Sequence, residues 1–250
     1  MYYLIKYGYD GKKFCGFQRN NGENSVENTI INVLKSHNIS DNMESAARTD
    51  KYVSAAGNVF LIESKIDIIK ILKILNSQIK DMYFYQYAGL SEYFNPRYCT
   101  LKKYSYVLDG DYDIEKFMVM LRKFEGTHDF KNFSRKDYRN TVRTIKNIDY
   151  YQHNGFFIIN FYARSFIWHQ IRAIMGFAMR YYEMDLDPFA FKINSVFLAS
   201  PERLILMDIF YENITFSDFN SSYLDGKIRK KLTDINVNRV IYSRILYKFQ

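Results

Sequence analysis

The stretch MYYLIKYGYDGKKF, Met1–Phe14, sets the reading of the fold. Tyr2–Tyr9 alternates apolar and polar residues with the period of a half-buried strand. Asp10-Gly11 then supplies turn chemistry. Outward from this strand, Ser25-Val26-Glu27 opens a helix capped by Asn24 or Ser25, with Val26, Ile30, Val33 and Leu34 on its apolar stripe. Asn58–Glu63 reads as a strand, Lys65–Leu75 as an amphipathic helix and Met82–Leu90 as another strand. We assign this run the strand–helix–strand–strand–helix–strand pattern of a ferredoxin-like or RRM-like half.

A second half starts near Leu101. Tyr104–Leu108 is strand-like and Asp113–Phe124 helical. Arg143–Gln152 and Asn154–Tyr162 form a hairpin about His153-Asn154-Gly155. Phe166–Tyr182 reads as one long helix and Leu204–Tyr211 as a strand. The order of the first half recurs loosely, without a sequence-level repeat. The expected class is α+β, with halves at 1–100 and 101–250.

At 250 residues and 48% hydrophobic, the chain can bury a substantial core. Its 35 basic and 27 acidic residues leave a net charge of +8. That favours a polyanionic partner, nucleic acid before an acidic membrane surface. Aromatics reach 18%, and rings beside cations suit RNA, although most rings fill cores. Cys15 and Cys99 are too few for a disulfide framework and carry no zinc spacing, so they read as thiols in a reducing compartment. The N-terminus lacks a signal-peptide pattern, and no apolar run approaches the roughly 18 residues that span a bilayer. The expectation is a cytoplasmic protein without a membrane anchor.

Five segments hold candidate chemistry. In AARTDKYVSAAGNVF, Ala46–Phe60, Asp50 lies between Arg48 and Lys51, which favour an ionised carboxylate. Ser54, Ala55, Ala56 and Gly57 leave room for a flat ligand or another backbone. By spacing alone, a charged surface turn is the commoner meaning. In SFIWHQIRAIMG, Ser165–Gly176, Ile167, Ile171, Ile174 and Ala178 make an apolar stripe. His169, Arg172 and Gly176 share the neighbouring face, so Arg172 either snorkels or pairs with a cleft carboxylate or phosphate. FNPRYCTLKKYSYVL, Phe94–Leu108, interleaves Arg97, Lys102 and Lys103 with Tyr98, Tyr104 and Tyr106. Tyr104 and Tyr106 point to one face of a strand, as core or as a base-stacking ring. EGTHDFKNFSR, Glu125–Arg135, holds an adjacent His128-Asp129 pair without a nucleophile motif and reads as packing plus RNA contact. YDGKKFCGFQ, Tyr9–Gln18, has two glycines but no nucleotide-binding fingerprint. No cofactor and no metal is expected.

Taken in order, these segments, with ASPERLILMDIFY at Ala199–Tyr211, resemble the tRNA pseudouridine synthase A family from about residue 3 to residue 211. ARTDK, Ala47–Lys51, matches the family's catalytic loop, KKYSY its tyrosine strand and FIWHQIRAIMG its arginine helix. The resemblance implies the pseudouridine synthase fold: two ferredoxin/RRM-like halves in a mixed, mainly antiparallel sheet, with helices on one side and a central basic cleft. It implies that Asp50 is the catalytic carboxylate, that Arg172 pairs with it, and that Tyr104 stacks on the uracil and helps remove the C5 proton, with Tyr106 as the alternative. Arg48 would flip or hold the uridine, and Lys51, Tyr52, Arg97 and His169 would contact substrate. The implied substrate is the tRNA anticodon stem-loop, bound by a homodimer. Three departures stand out: Ala47 replaces the Gly that usually opens the loop, Tyr52 the Gly two residues after the Asp, and Arg203 stands where the late strand often carries Gly. The rival readings are a same-family enzyme acting elsewhere on RNA, a non-catalytic RNA-binding module, and a metal hydrolase using His128 and Asp129.

Overall fold

The computed structural model describes residues 1–19, 24–134, 140–191 and 197–247. Arg135, at the end of the EGTHDFKNFSR segment, and residues 248–250 of the basic tail lie outside them. The first half runs β1 (Tyr2–Tyr9), α1 (Val26–Ser36), β2 (Glu44–Ser45), β3 (Ser54–Glu63), α2 (Ile68–Gln78) and β4 (Met82–Leu90). The second runs β5 (Leu101–Leu108), α3 (Ile114–Arg122), β6 (Gly126–Asp129), β7 (Val142–His153), β8 (Phe156–Ala163), α4 (Gln170–Tyr181) and β9 (Leu204–Phe210). The short β10 (Ser217–Asp218) and the long α5 (Ser222–Tyr247) follow.

Side-chain chemistry explains the boundaries. Ser25 caps α1 by accepting from the Asn28 amide, and Asp67 caps α2 by accepting from the amides of Ile69 and Lys70. That Asp cap starts α2 three residues later than periodicity alone expects. Asn154 and Gly155 both take positive φ between β7 and β8, the tight hairpin turn expected there. β2, β6 and β10 are the strands that periodicity did not resolve, because two to four residues carry too little alternation.

The strands form one sheet in the order β10-β4-β1-β3-β9-β5-β8-β7-β6, with β2 also paired to β3. The first half is a β-α-β-β-α-β unit with its last strand beside its first, and the second repeats that plan with one extra strand, β6, before β7. β4-β1-β3-β2 in one half corresponds to β9-β5-β8-β7 in the other. Pairing is antiparallel except where β3 meets β9, Ser54 opposite Ile205 and Ala55 opposite Leu206. The halves therefore join on one edge of β3. β2 occupies that edge at Phe60 and Leu61 and leaves the Ser54 end open for β9.

The small residues of the Asp50 segment now have an assigned use. A Cβ on Gly57 would stand 2.6 Å from the Met207 carbonyl oxygen. Of the two readings of that run, the other backbone is the one realised. Lys6 reinforces the seam, its Nζ 2.8 Å from Asp208 Oδ1 on β9.

Most aromatics are core. Tyr7 stacks on Phe84 at 5.6 Å and meets Phe60 edge-on, and Phe124, Phe133, Phe177 and Phe189 interlock in the second half. The tail after Ser217 packs on the first half although it follows the second in sequence. β10 pairs with β4, and Lys227 Nζ donates to the carbonyls of Asn76, Ile79 and Met82. No described helix is long and apolar enough to cross a membrane.

Candidate active site

Asp50 sits at the mouth of the seam, four residues before Ser54 begins β3. Its loop is held from several sides. Asn58, fully buried at the centre of β3, donates its side-chain amide to the Ala47 carbonyl. Tyr9 and Thr49 share a hydroxyl hydrogen bond of 2.8 Å. Lys102 Nζ donates to the Ala46 carbonyl at 2.7 Å, and burial pushes this ammonium's pKa down. Gly11 is required for closure, because a Cβ there would stand 2.3 Å from the Val53 carbonyl oxygen.

The Val53 amide donates to the Asp50 carbonyl at 3.1 Å, closing a four-residue turn. Tyr52 is its third residue, at φ 71. That is the position where a type II turn takes Gly. Tyr52 meets that backbone demand at a steric cost. In return a half-exposed ring stands in the cleft, with Lys51 Nζ 5.1 Å from its centroid.

The opposite wall is built by a second turn of the same kind. The Gln170 amide donates to the Ile167 carbonyl at 3.1 Å, and the Ile167 amide donates back to Gln170 Oε1 at 2.9 Å. His169, the third residue, has φ 67. The left-handed turn stops the helix short. α4 begins at Gln170, not at Phe166 as the apolar stripe predicts, and His169 is its N-cap rather than a residue on its face. The stripe is still buried, since Ile167, Ile171, Ile174 and Ala178 all face the core. Gly176 allows the Phe197 carbonyl to close on α4, where a Cβ would stand 2.1 Å from it.

These turns bring together residues more than a hundred positions apart. Arg172 Nη1 donates to Asp50 Oδ2 at 3.2 Å, while its Nε donates to the Ala199 carbonyl at 2.8 Å. His169 Nε2 lies 3.4 Å from the same Oδ2. Trp168 Nε1 donates to Asp50 Oδ1 at 3.0 Å. Both carboxylate oxygens are thus engaged from one short segment.

Tyr104, on β5, lines the cleft with its ring edge-on to Phe166 at 5.3 Å. Burial pushes its phenol pKa far up, with the charges of Tyr9 and then Asp50 adding to the shift. At neutral pH the group is a neutral phenol, a stacking surface and hydrogen-bond donor. Tyr106 is sealed in the core deeper along the same face, its pKa pushed up to about 12 chiefly by burial.

The cleft measures about 1010 Å³. Every expected site residue lines it: Asp50, Arg172, Tyr104, Arg48, Lys51, Tyr52, Arg97 and His169. Arg48 is exposed, while Arg97 Nε also reaches the Ser45 carbonyl at 3.5 Å. His128 and Asp129 stand outside it. The His128 ring stacks on Phe189 at 4.1 Å, and Asp129 accepts from the Lys131 amide. No cluster of metal-ligating side chains occurs among the described residues. Trp168 is the residue that spacing missed. Its neighbours suggested a continuous helix, in which it would have been an unremarked exposed ring.

Known proteins place this site in a family. A family model described as tRNA pseudouridine synthase matches residues 120–212. tRNA pseudouridine synthase A of Picrophilus torridus is 53% identical over 225 residues, covering 89% of this chain and 88% of its own. The enzyme of the same name from Thermoplasma acidophilum is 41% identical over 252 residues, with coverage of 99% and 98%. That of Pyrococcus furiosus is 36% identical over 231 residues, covering 87% and 86%. Identity at this level spans both halves and the seam between them, and the chain belongs to the tRNA pseudouridine synthase A family.

Proposed function

We propose that this isomerase converts uridine to pseudouridine in tRNA, within the anticodon stem-loop at about positions 38–40, taking the target base flipped out of its stack. The reading is carried by one observation: a carboxylate tethered through both oxygens stands in a cleft lined by cations and rings.

The reaction breaks N1–C1′, turns the uracil and joins C5 to C1′. A proton leaves C5 and one is gained at N1, so no redox partner is required. Asp50 acts at the sugar. Its oxygen either bonds to C1′ as N1 leaves, or takes the 2′ proton to leave a glycal. Arg172 holds the carboxylate through a charge-assisted hydrogen bond and stays in place throughout. The Tyr104 ring supplies a wall on which the freed uracil turns without escaping. Arg48, Lys51 and Arg97 meet phosphates at the rim, Tyr52 offers a ring to a neighbouring base, and His169 contacts the sugar-phosphate near Asp50.

Release of tritium from C5-labelled uridine in tRNA tests the reaction, and mapping the modified positions tests the site. Pseudouridine at positions outside the anticodon stem-loop would move the specificity elsewhere on the RNA. Action as a homodimer on one tRNA is tested by the mass of the complex in solution.

A further inference from the structure

We propose that Trp168 is a positioning residue for the reaction, fixing the plane of the Asp50 carboxylate through the oxygen that Arg172 does not hold. The inference rests on the functional reading above. Asp50 lies on a loop, and one donor on one oxygen leaves a carboxylate free to rotate about its Cβ–Cγ bond. Arg172 Nη1 supplies one donor, to Oδ2, where His169 Nε2 also stands at 3.4 Å. The indole N–H supplies a second, 3.0 Å from Oδ1. Two donors on two oxygens determine the plane, so the lone pair left on Oδ1 keeps one direction into the cleft.

The backbone around Trp168 is built for this display. The Ile167–Gln170 turn is closed by reciprocal bonds between those two residues, and Gln170 is 1% exposed, so the turn is clamped from within the core. His169 takes φ 67 to complete it. Four described non-Gly residues have positive φ. Asn38, Asn154 and His169 are of types enriched there and Tyr52 is not, and two of the four, Tyr52 and His169, flank the Asp50–Trp168 contact. Backbone cost gathered at one contact marks a geometry retained for its use. The indole itself is 44% exposed, which is poor burial for a ring whose task is packing.

The test compares Trp168→Phe, which keeps a ring and removes the donor, with Trp168→Ala. The Phe variant is expected to lower kcat about tenfold while KM for tRNA stays within about twofold, since the loss falls on orientation and not on binding. The Ala variant is expected to show the same kcat loss with a raised KM. Thermal midpoints of both stay close to that of the parent. A Phe variant at parental kcat overturns the proposal. A Phe variant that loses stability and kcat together reduces Trp168 to a structural ring and overturns it equally. Trp168 is the single tryptophan of the chain, so its fluorescence reports the contact directly. Asp50→Ala is expected to shift that emission, and an unchanged spectrum removes the contact. A parent protein that forms no pseudouridine would instead sink the functional reading, whatever the spectrum shows.

Discussion

Arg172 and Asp50 are 122 residues apart in the chain and 3.2 Å apart in the fold. The arginine is also fixed by the Ala199 carbonyl, so its guanidinium spans two elements before any substrate arrives. Asp50→Asn is expected to fold normally, to keep most of its tRNA affinity and to lose turnover by on the order of 10³-fold or more. Single-turnover assays beside RNA titrations check this, and near-parental turnover would remove the carboxylate from the chemistry. Arg172→Ala should cost about 10²-fold in rate and on the order of 2 kcal/mol in stability. The remaining carboxylate loses its cation but keeps Trp168 and some solvent.

Tyr52→Gly separates strain from function. Glycine removes the left-handed penalty and adds unfolded-state entropy, for a net gain of about 0.5–1 kcal/mol. The same change deletes a ring from the cleft and should weaken tRNA binding several-fold. Thermal unfolding together with RNA titration reads both signs. Weaker stability with unchanged binding would show that the ring serves packing.

Gly57→Ala tests the seam. The added methyl must displace the Met207 carbonyl or the Asp208 side chain, at a cost of about 1–3 kcal/mol. Because β3 leads directly from the Asp50 loop, activity should fall by more than stability accounts for. Full activity at a lowered melting temperature would uncouple the loop from the seam.

Binding to tRNA should weaken linearly in log–log form as salt rises, since cleft cations displace counterions from phosphates. Arg48→Ala should reduce the slope by about 1, with little change in melting temperature because Arg48 is exposed. Lys102→Ala should act differently. Its ammonium holds the Ala46 carbonyl, so the expected loss is in stability and turnover rather than in salt dependence.

Alkaline pH should unfold the protein. Burial raises the pKa of Tyr106 to about 12 and those of Tyr7, Tyr9 and Tyr104 further, whereas an unfolded tyrosine ionises near 10. The folded state therefore holds protons that the unfolded state releases. The stabilisation is complete below about pH 10 and is lost as pH rises toward 12 and beyond. Phenolate absorbance should appear together with loss of circular dichroism. Phenolate without unfolding would mean that these rings are accessible.

How much was legible beforehand divides along physical lines. Strand alternation and helix stripes located most of the elements, because burial of one face leaves a local period in the chain. The order of those elements carried the two-half architecture, and the motifs carried Asp50, Arg172 and Tyr104 into one cleft. Left open were features with no period: the two-residue β2, the turn that shortens α4, and the tail that returns to β4.

By itself the sequence determined which faces are apolar, where turns are affordable, and which charged residues are candidates for the site. Tertiary structure alone decided their partners. The Ala-Ala-Gly run after Asp50 is as compatible with a ligand as with a backbone until β9 arrives beside it. Tyr52 is only an unusual residue until the turn is seen to demand positive φ. Trp168 gains a role only when two turns, 118 residues apart, close on one carboxylate. A face can be written in local pattern, but a contact depends on where the rest of the chain comes to lie.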